Sequence, residues 1–383
     1  MVDNKGENSE LGQDKKRQQK LTKKEKNQLK KQTAHNTTCN VESKRLQKNF
    51  SEPILRSMLN LSNVNSESEN GIITLMTYNL LAQSLCKRKL FPDSGEALKW
   101  KHRHPRLIQE ILYYSPDIGC FQEMDELNYN DTFKDKFEHV GYETLFSKGY
   151  KKGNVKSVVI EYDKHGIPTM PTNCIGILIG TTHLYWRPES MYERARQALI
   201  LIENVLKFKE EVGFPAFLAG DFNTSPEDPI YQLIVKRLLS KEKITQLETS
   251  MRAFGEDENQ KIGETNKDQA TKSTPNTSLM TIPTLLSTFS KLPRCISIYG
   301  EYYKYVDPEN VKHSEPKYTS YGLYFKGTLD YIFYILDNDN DDNRIKFTKL
   351  LKMPKEEEIG TSIPNFKFNS DHFCMMVEIN GLM

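Results

Sequence analysis

The sequence predicts an α+β fold in which two mixed β-sheets pack as a sandwich flanked by helices. In the first half, runs of β-branched and apolar residues at 71–79 and 117–123 alternate with helical patterns. Strand-like runs dominate the second half, at 328–336 and 372–379. We find no internal repeat, and 383 residues with 37% hydrophobic side chains suffice to bury such a core.

The two principal helices follow from the spacing of apolar residues. One covers 97–114 and ends before the Ser115-Pro116 pair, where a helix is expected to stop. The other covers 189–211, because apolar side chains recur there at three- and four-residue steps. Those side chains are Ala195, Leu199, Ile202 and Leu206. Apolar runs at 175–184 and 215–219 are predicted to be the strands on either side of this helix.

The predicted domain organisation is a basic, disordered N-terminal tail over residues 1–70 and one folded domain over 71–383. Nine Lys or Arg and a single acid lie between Lys15 and Lys31, with almost no apolar residues among them. This segment is interpreted as a nucleic-acid-tracking arm or a nuclear localisation signal, or else as a solvated tail. A polar stretch at 255–283 is predicted to be a disordered surface insertion.

Composition narrows the class of protein. The formal net charge is only +2, so the chain as a whole is not a polycation. None of the six cysteines forms a C-x-x-C pair, which argues against a structural zinc site. No stretch resembles a signal peptide or is apolar enough to cross a bilayer. We therefore expect no membrane association and a reducing location, cytoplasmic, nuclear or both.

The most informative motif is Gly220-Asp221-Phe222-Asn223, which follows the apolar run at 215–219. A glycine at the end of a strand permits a turn or a close backbone approach. In extended geometry Asp221 and Asn223 share one side of the chain and offer an anionic acceptor beside an amide. Such a pair suits a phosphate held beside a metal ion. The alternative is that one of them caps the helix that starts near Asp228.

Other predicted strands also end in polar residues that could take part in catalysis or metal binding. Asn79 ends the first strand and Glu123 the second, although each has an ordinary alternative as a turn residue or an exposed carboxylate. His183 lies near the end of a third strand, and a single histidine is more often structural. Asp330 lies among Leu, Tyr, Ile and Phe, so it needs a partner if it is buried. His372 is the predicted partner, since a buried carboxylate fixes the tautomer of an imidazole.

In order and context these elements resemble the endonuclease/exonuclease/phosphatase superfamily of magnesium-dependent sandwich nucleases and phosphatases. The resemblance spans about 74–378 and implies a DNase I-like four-layer α/β/β/α fold. Six motifs in the family's order carry it: 78–83 (YNLLAQ), 121–123 (FQE), 182–184 (THL), 220–223 (GDFN), 329–332 (LDYI) and 370–372 (SDH).

Within that superfamily the chain looks most like the deadenylase branch, which includes nocturnin, the angel proteins, the carbon-catabolite-repression deadenylases and fungal relatives. The branch features are Asn-Leu-Leu-Ala at 79–82, Trp186 with Pro188, and Phe-Lys-Gly at 325–327. The resemblance implies that Pro188 and Phe325 hold an adenine base between them. Stacking on an aromatic face is worth about 1–3 kcal/mol per base. The alternatives are a turn for Pro188 and core packing for Phe325.

The resemblance also implies a mechanism: a Mg²⁺-dependent 3′-exoribonuclease that acts on single-stranded RNA tails and releases nucleoside 5′-monophosphates. Glu123 would be the main Mg²⁺ ligand, with Asn79 nearby and Asp371 supporting a second ion; Mn²⁺ is an alternative metal. Asp221 would orient or deprotonate the attacking water, and Asn223 would donate to a phosphoryl oxygen. His372, held by Asp330, and His183 would stabilise negative charge on the phosphate.

One region departs from the family pattern. Only residues 154–181 separate the segment at 148–153 from the Thr-His-Leu motif, where relatives carry further strands. The chain is therefore expected to have lost one or two core strands, which would leave unpaired sheet edges. This motivates a second hypothesis, a catalytically impaired relative that binds RNA or proteins. A third keeps the fold but changes the substrate to a DNA abasic site or a phosphoinositide.

Overall fold

The computed structural model describes residues 54–61, 72–147, 156–160, 176–235, 238–265, 279–337 and 345–381. The basic segment Lys15–Lys31 therefore lies outside the described residues, and so does the rest of the chain up to residue 53.

Two five-stranded mixed sheets form the centre of the fold. Sheet A contains, in spatial order, β1 (Met58–Asn60), β13 (Lys346–Leu351), β14 (Met375–Asn380), β2 (Ile73–Asn79) and β3 (Ile118–Gln122). Sheet B contains β4 (Lys156–Ile160), β5 (Ile177–His183), β6 (Ala216–Asp221), β12 (Asp330–Ile335) and β7 (Cys295–Ser297). The pairs β2–β3 and β5–β6 are parallel, and the other pairs are antiparallel.

Two small hairpins complete the strands. One pairs β8 (Val311–Lys312) with β9 (Glu315–Pro316), and the other pairs β10 (Ser320–Tyr321) with β11 (Lys326–Gly327). The helices are α1 (Trp100–Tyr114), α2 (Glu126–Asn128), α3 (Lys134–His139), α4 (Met191–Val212), α5 (Pro229–Val235), α6 (Lys241–Thr265), α7 (Ile282–Lys291), α8 (Ile298–Val306) and α9 (Glu356–Ile359). Within the described residues, none of these helices could span a bilayer.

The layers follow from the alternation of side chains along each strand. Phe217 and Ala219 of β6 face a core that also contains Leu75 of sheet A, while Leu218 faces the opposite way, towards α4. On the outer side of sheet A, Met76 packs against α1. Because side chains in a strand alternate between faces, each sheet contributes one face to the shared core and the other to a helix layer. The predicted four-layer α/β/β/α sandwich is confirmed.

The N-terminal boundary of the fold differs from the prediction. Strand β1 lies inside the segment 1–70 that was assigned to the tail, and it pairs with β13 from Met58–Leu351 to Asn60–Lys349. The described fold therefore starts before residue 71. A strand of three residues is too short to show an alternating pattern, and its partner strand lies far along the chain, so local sequence does not reveal it.

The predicted insertion at 255–283 is also corrected at its ends. Helix α6 continues to Thr265 and α7 begins at Ile282, whose side chain is buried. Residues 266–278 lie outside the described residues.

The short region 154–181 still contributes a strand to the sandwich. Strand β4 pairs antiparallel with β5 over five residue pairs, from Lys156–Thr181 to Ile160–Ile177, and forms one outer strand of sheet B. Among the described residues, the outer strands of sheet A are β1 and β3. The strands that carry the predicted site residues are therefore paired despite the shortened sequence.

Candidate active site

The ends of two parallel strands in sheet A supply the first polar groups of the site. Asn79 is the last residue of β2 and is the register partner of Gln122, the last residue of β3. Glu123 follows directly. Because the carboxyl ends of adjacent parallel strands meet at the same sheet edge, Asn79 and Glu123 are brought together.

Sheet B supplies three more groups at a single level. His183 of β5 and Asp330 of β12 are both register partners of Asp221, which ends the strand β6 between them. Asp330 begins its strand, because β12 runs antiparallel to β6. Positions 183, 221 and 330 thus form a row across three adjacent strands, which their spacing along the chain does not show.

Asn79 connects the two sheets. Its Nδ2 donates to Glu123 Oε1 at 3.1 Å and to Asp221 Oδ2 at 2.9 Å, and its Oδ1 accepts from the backbone N of Leu81 at 3.0 Å. Glu123, the predicted Mg²⁺ ligand, and Asp221, predicted to orient or deprotonate the water, are therefore joined by one amide. In this arrangement Asn79 presents its nitrogen, and not the oxygen that a metal ion would bind.

Glu123 is held by the loop that follows Asn79. Its Oε2 accepts from the backbone N of Ala82 at 3.1 Å. Both Glu123 (φ 55°) and Leu81 (φ 56°) lie in the left-handed region, which non-glycine residues rarely adopt. Such backbone costs about 1–3 kcal/mol per residue and persists where surrounding contacts determine it, as at functional sites.

Both carboxylate oxygens of Asp221 accept hydrogen bonds, and these fix the orientation of its side chain. Asn223 N donates to Oδ1 at 2.8 Å, while Oδ2 receives Asn79. Asn223 has φ 48°, and its Nδ2 donates to the carbonyl of Leu184 at 2.9 Å. The Asn223 amide therefore already has one acceptor within the protein. The bonds of Asp221 and Asn223 do not go to the helix that begins at Pro229, so the capping alternative does not describe them.

Gly220 is required by a close backbone approach. A Cβ at this position would overlap the carbonyl oxygen of Thr182 on the neighbouring strand β5. Since that atom belongs to the backbone, it cannot move aside without breaking the strand pairing.

His183 faces both carboxylates. Its Nε2 lies 3.5 Å from Asp221 Oδ2 and 3.9 Å from Glu123 Oε1, and 32% of its side chain is exposed. The imidazole therefore stands at the solvent side of the carboxylate pair, where an incoming anion could contact it.

The predicted pair of Asp330 and His372 is present. Nδ1 of His372 lies 2.7 Å from Asp330 Oδ2, and Nε2 lies 3.8 Å from Asp221 Oδ2. Burial alone would lower the pKa of His372, but the negative charges of Asp330 and Asp221 outweigh it and hold this pKa well above its usual value. The two carboxylates therefore favour the protonated ring, with Nδ1 bound to Asp330 and Nε2 facing Asp221.

Two groupings of ligands could hold a cation. Asp221, Asp330 and His372 have ligand atoms within 4.8 Å of one another, but Asp330 and His372 are already bonded to each other. The second grouping is Glu123 with Asp371. Burial raises the pKa of the Asp371 carboxyl to about 6, and the charge of Glu123 acts in the same direction, against His372. Both residues of this pair are carboxylates, the oxygen ligands that a hard metal ion prefers, and they are the Mg²⁺ ligands that the resemblance implies.

Pro188 and Phe325 lie on loops attached to the site. Pro188 is exposed in the segment after β5, and Phe325 is 46% exposed at the tip of the β10–β11 hairpin. The base of that hairpin is bonded to the last site segment, since Tyr321 N donates to the carbonyl of Asp371 at 2.9 Å and Ser320 forms a bridge with His372. The exposure of Phe325 contradicts the alternative of core packing.

Several supporting residues were missed from the sequence. Thr319 Oγ1 donates to Asp330 Oδ2 at 2.6 Å, and Ser370 Oγ donates to the carbonyl of Asn79 at 2.6 Å. No sequence signal marks Thr319, whereas Ser370 lies within the 370–372 motif, which assigned it no role. The buried Arg103 and Arg194 could have been found, since each lies four residues before an apolar core residue of its helix.

The fold and this arrangement define the class of protein. It is a DNase I-like sandwich whose polar site residues lie at the ends of strands from both sheets. The chain belongs to the endonuclease/exonuclease/phosphatase family, whose model matches residues 76–334.

Similar proteins agree with this assignment. The "Probable RNA exonuclease" of Schizosaccharomyces pombe is 32% identical over 85% of this chain and 80% of its own length. The RNA exonuclease NGL2 of Saccharomyces cerevisiae is 28% identical over 80% of this chain and 77% of its own length. Among solved structures, ANGEL2, a 2′,3′-cyclic phosphatase, superposes with a TM-score of 0.57 at 20% identity, covering 85% of this chain and 98% of that one. At this identity the structural match supports the fold alone.

Proposed function

We propose that this protein is a Mg²⁺-dependent exoribonuclease that hydrolyses single-stranded RNA from its 3′ end and releases nucleoside 5′-monophosphates. The observation that carries the proposal is the hydrogen-bonded group Glu123–Asn79–Asp221 beside the His372–Asp330 pair. The names of the two fungal relatives support RNA as the substrate and exonucleolytic cleavage as the reaction.

Glu123 and Asp371 are the residues that would hold Mg²⁺, which when bound neutralises charge on the non-bridging oxygens of the phosphate. The remaining roles belong to the chain itself. Asp221, with both oxygens oriented, positions or deprotonates the attacking water. His372 carries positive charge at neutral pH and stabilises the charge that develops on the phosphoryl group, and the partly exposed His183 contacts the same group.

The terminal base would be held between Pro188 and Phe325. Both are exposed on loops connected to site segments, so an RNA 3′ end could reach them while its last phosphate lies near Asp221. Stacking tolerates every base, so this pair explains affinity for single strands better than it explains a strict choice of adenine.

The test is degradation of 5′-labelled and 3′-labelled oligoadenylate by the purified protein with Mg²⁺, with EDTA as the negative condition. A 3′-exonuclease produces a ladder from the 5′ label and immediate mononucleotide from the 3′ label. Glu123→Gln and Asp221→Asn should each reduce the rate by at least ~100-fold, because they remove charge where the cation and water are held. Glu378→Gln is a matched control: its side chain is 14% exposed, near the 17% of Glu123, and it pairs with Thr74 at the opposite end of β2.

Substrate class is tested in the same assay with sequence-matched DNA, abasic DNA, a phosphoinositide and RNA that ends in a 2′,3′-cyclic phosphate. Opening of the cyclic phosphate without release of mononucleotides would contradict the exonuclease proposal, and so would a folded protein that is inert on every RNA.

The alternative of an impaired RNA- or protein-binding relative rests on the short region 154–181. Pairing of β4 with β5 and the convergence of the site residues argue against it. Thermal unfolding with and without Mg²⁺ discriminates the two. A metal-induced rise in Tm that Glu123→Gln abolishes indicates a functional cation site, and RNA binding without such a rise favours the impaired relative.

A further inference from the structure

Two arginines are almost completely buried next to the site, Arg103 on α1 at 0% exposure and Arg194 on α4 at 1%. Each occupies the apolar face of its helix, four residues before Leu107 and Ala198 respectively. A guanidinium in such a position is costly unless its donors are used, so the contacts of these two side chains indicate what the fold gains from them.

Arg103 joins two of the segments of sheet A that carry site residues. Its Nη2 donates to the carbonyls of Leu80 and Leu81, the latter at 2.7 Å, directly after Asn79. Its Nε donates to the carbonyl of Asn369 at 2.7 Å, two residues before Asp371. One planar fork therefore sets the separation between the segment of Asn79 and the segment of Asp371 and His372.

The remaining Arg103 donors bind side chains further along the loop that follows Asn79. Its Nη1 donates to Gln83 Oε1 at 3.2 Å and to Cys86 Sγ at 2.9 Å. All of these hydrogen-bond acceptors are neutral, so the donors fix the geometry of the loops, while the charge of the guanidinium also acts on the nearby Asp371 and Glu123. This accounts for the left-handed backbone of Leu81, which neighbouring contacts must hold in place.

Arg194 holds the loop of the predicted base site. It donates to the carbonyls of Arg187 and Pro188, the latter at 2.8 Å, and reaches that of Tyr185 at 3.5 Å. Its Nη2 also lies 3.7 Å from Asp228 Oδ2.

Asp228 in turn binds the loop that follows β6. The same oxygen accepts from Thr224 Oγ1 at 2.9 Å and from Ser225 N at 3.1 Å, just after Asn223. Arg194 thus links the loop of Pro188 to the loop that leaves β6.

We propose that these arginines are positioning residues with separate tasks: Arg103 sets the geometry of the reacting groups, and Arg194 sets the loop that receives the terminal base. The inference rests on the proposed exoribonuclease activity for its kinetic part. Neither arginine contacts the carboxylates of Glu123 or Asp221 within ion-pair distance in the described residues, so each acts through the backbone it holds.

The test compares Arg103→Lys, Arg103→Leu, Arg194→Lys and Arg194→Leu in steady-state kinetics on oligoadenylate, well below the Tm of each variant. Arg103→Leu is expected to lower kcat about 100-fold with little change in KM, the cost of misplacing reacting groups by about 1 Å. Arg194→Leu is expected to raise KM about 10-fold and leave kcat within about threefold, since it loosens a base contact. Each Lys variant should recover only part of the activity lost in the Leu variant. An ammonium keeps the charge and some donors, but it cannot replace the planar fork of the guanidinium.

Two readouts do not depend on activity. The Mn²⁺-induced rise in Tm should shrink in the Arg103 variants and persist in the Arg194 variants. The chain contains two tryptophans, and Trp186 lies between the carbonyls that Arg194 binds. In a Trp100→Phe background, quenching of Trp186 fluorescence by iodide should increase in the Arg194 variants and stay unchanged in the Arg103 variants.

The outcomes separate this inference from the proposed function. A wild-type protein that is inert on RNA overturns the proposed function, while the Tm and fluorescence readouts still decide the roles of the arginines. The positioning proposal is overturned if both arginines change kcat and KM alike, if the two patterns are exchanged, or if neither readout distinguishes them. If no Arg103 variant melts cooperatively, the residue serves folding and the proposal is wrong.

Discussion

Asn79 Nδ2 lies 2.9 Å from Asp221 Oδ2, and this hydrogen bond joins the end of a strand in one sheet to the end of a strand in the other. The same amide donates to Glu123 at 3.1 Å. Two carboxylates from opposite halves of the sandwich are thereby held side by side by one neutral donor. The site depends on this bridge, because without it the two negative charges would separate or require a cation.

We expect Asn79→Asp to make stability depend on metal. The substitution removes both donor bonds and places a third carboxylate beside Glu123 and Asp221. The Tm in EDTA should fall, and Mg²⁺ or Mn²⁺ should raise it by more than in the wild type. Differential scanning fluorimetry measures both changes.

Asn365→Asp is the control for that experiment, since its amide donates to the carbonyls of Ile359 and Ser362. It should lose stability without gaining a metal response. An Asn79→Asp protein whose metal response equals that of the wild type would show that the amide does not bridge the carboxylates.

Asp330→Asn should shift the pH dependence of catalysis. Asp330 and Asp221 together raise the pKa of His372, so the ring remains protonated at neutral pH and loses its proton only at higher pH. Removing the charge of Asp330 lowers that pKa, and activity that needs the imidazolium should then decline at a lower pH than in the wild type. The pH–rate profile measures the shift, with kcat at neutral pH reduced about 10²-fold or more.

Thr319→Val provides a graded comparison, because it keeps the charge of Asp330 and removes the hydroxyl that donates to it at 2.6 Å and accepts from the backbone N of Leu329 and Asp330. Its effect on kcat should be smaller. If the descending limb of the Asp330→Asn profile coincides with that of the wild type, His372 does not act as a cation.

Arg56→Leu should destabilise the whole domain. The Arg56 guanidinium donates to the carbonyl of Cys374 at 2.9 Å and lies 3.7 Å from Glu110 in the core. Removing it leaves the buried carboxylate of Glu110 with the Tyr78 hydroxyl but without a cationic partner, which costs about 3–5 kcal/mol. Urea unfolding measures this loss of free energy.

Glu110→Gln in the Arg56→Leu background should cost less than Glu110→Gln alone, since the uncompensated charge is then absent. As a surface control, Arg88→Leu breaks an exposed pair with Glu96 and should leave the stability nearly unchanged. Equal effects of Arg56→Leu and Arg88→Leu would mean that the segment before residue 71 is not part of the fold.

Glu315→Gln should stabilise the protein at alkaline pH. Burial raises the pKa of Glu315 to about 7, while Tyr231, whose hydroxyl donates to it at 2.7 Å, opposes the shift. The folded state therefore binds the proton more tightly than the unfolded state, and stability is lost as pH rises from about 4.5 to about 7. The difference amounts to roughly 3 kcal/mol.

Urea unfolding of the wild type and Glu315→Gln at pH values below and above this window is the measurement. The two proteins should be closest in stability at the acid end and diverge as pH rises. Parallel curves would show that Glu315 is not buried as a neutral acid.

Local patterns in the sequence determined the order of strands and helices, the family and the positions of the chemical residues at strand ends. Alternating and helical periodicities express which face of an element is buried, and that information lies within a few neighbouring residues. Hence Asn79, Glu123 and Asp221 could be proposed before any geometry was known. The pairing of Asp330 with His372 was predicted for a similar reason, because a carboxylate in an apolar strand requires a partner.

Only the tertiary structure decided how those residues meet. The bridge made by Asn79, the strand β1 inside the predicted tail and the carbonyls bound by Arg103 and Arg194 all join segments that are distant along the chain. The partner of a buried polar group is chosen by how sheets and helices pack, because each donor must find an acceptor in whatever element comes to lie beside it.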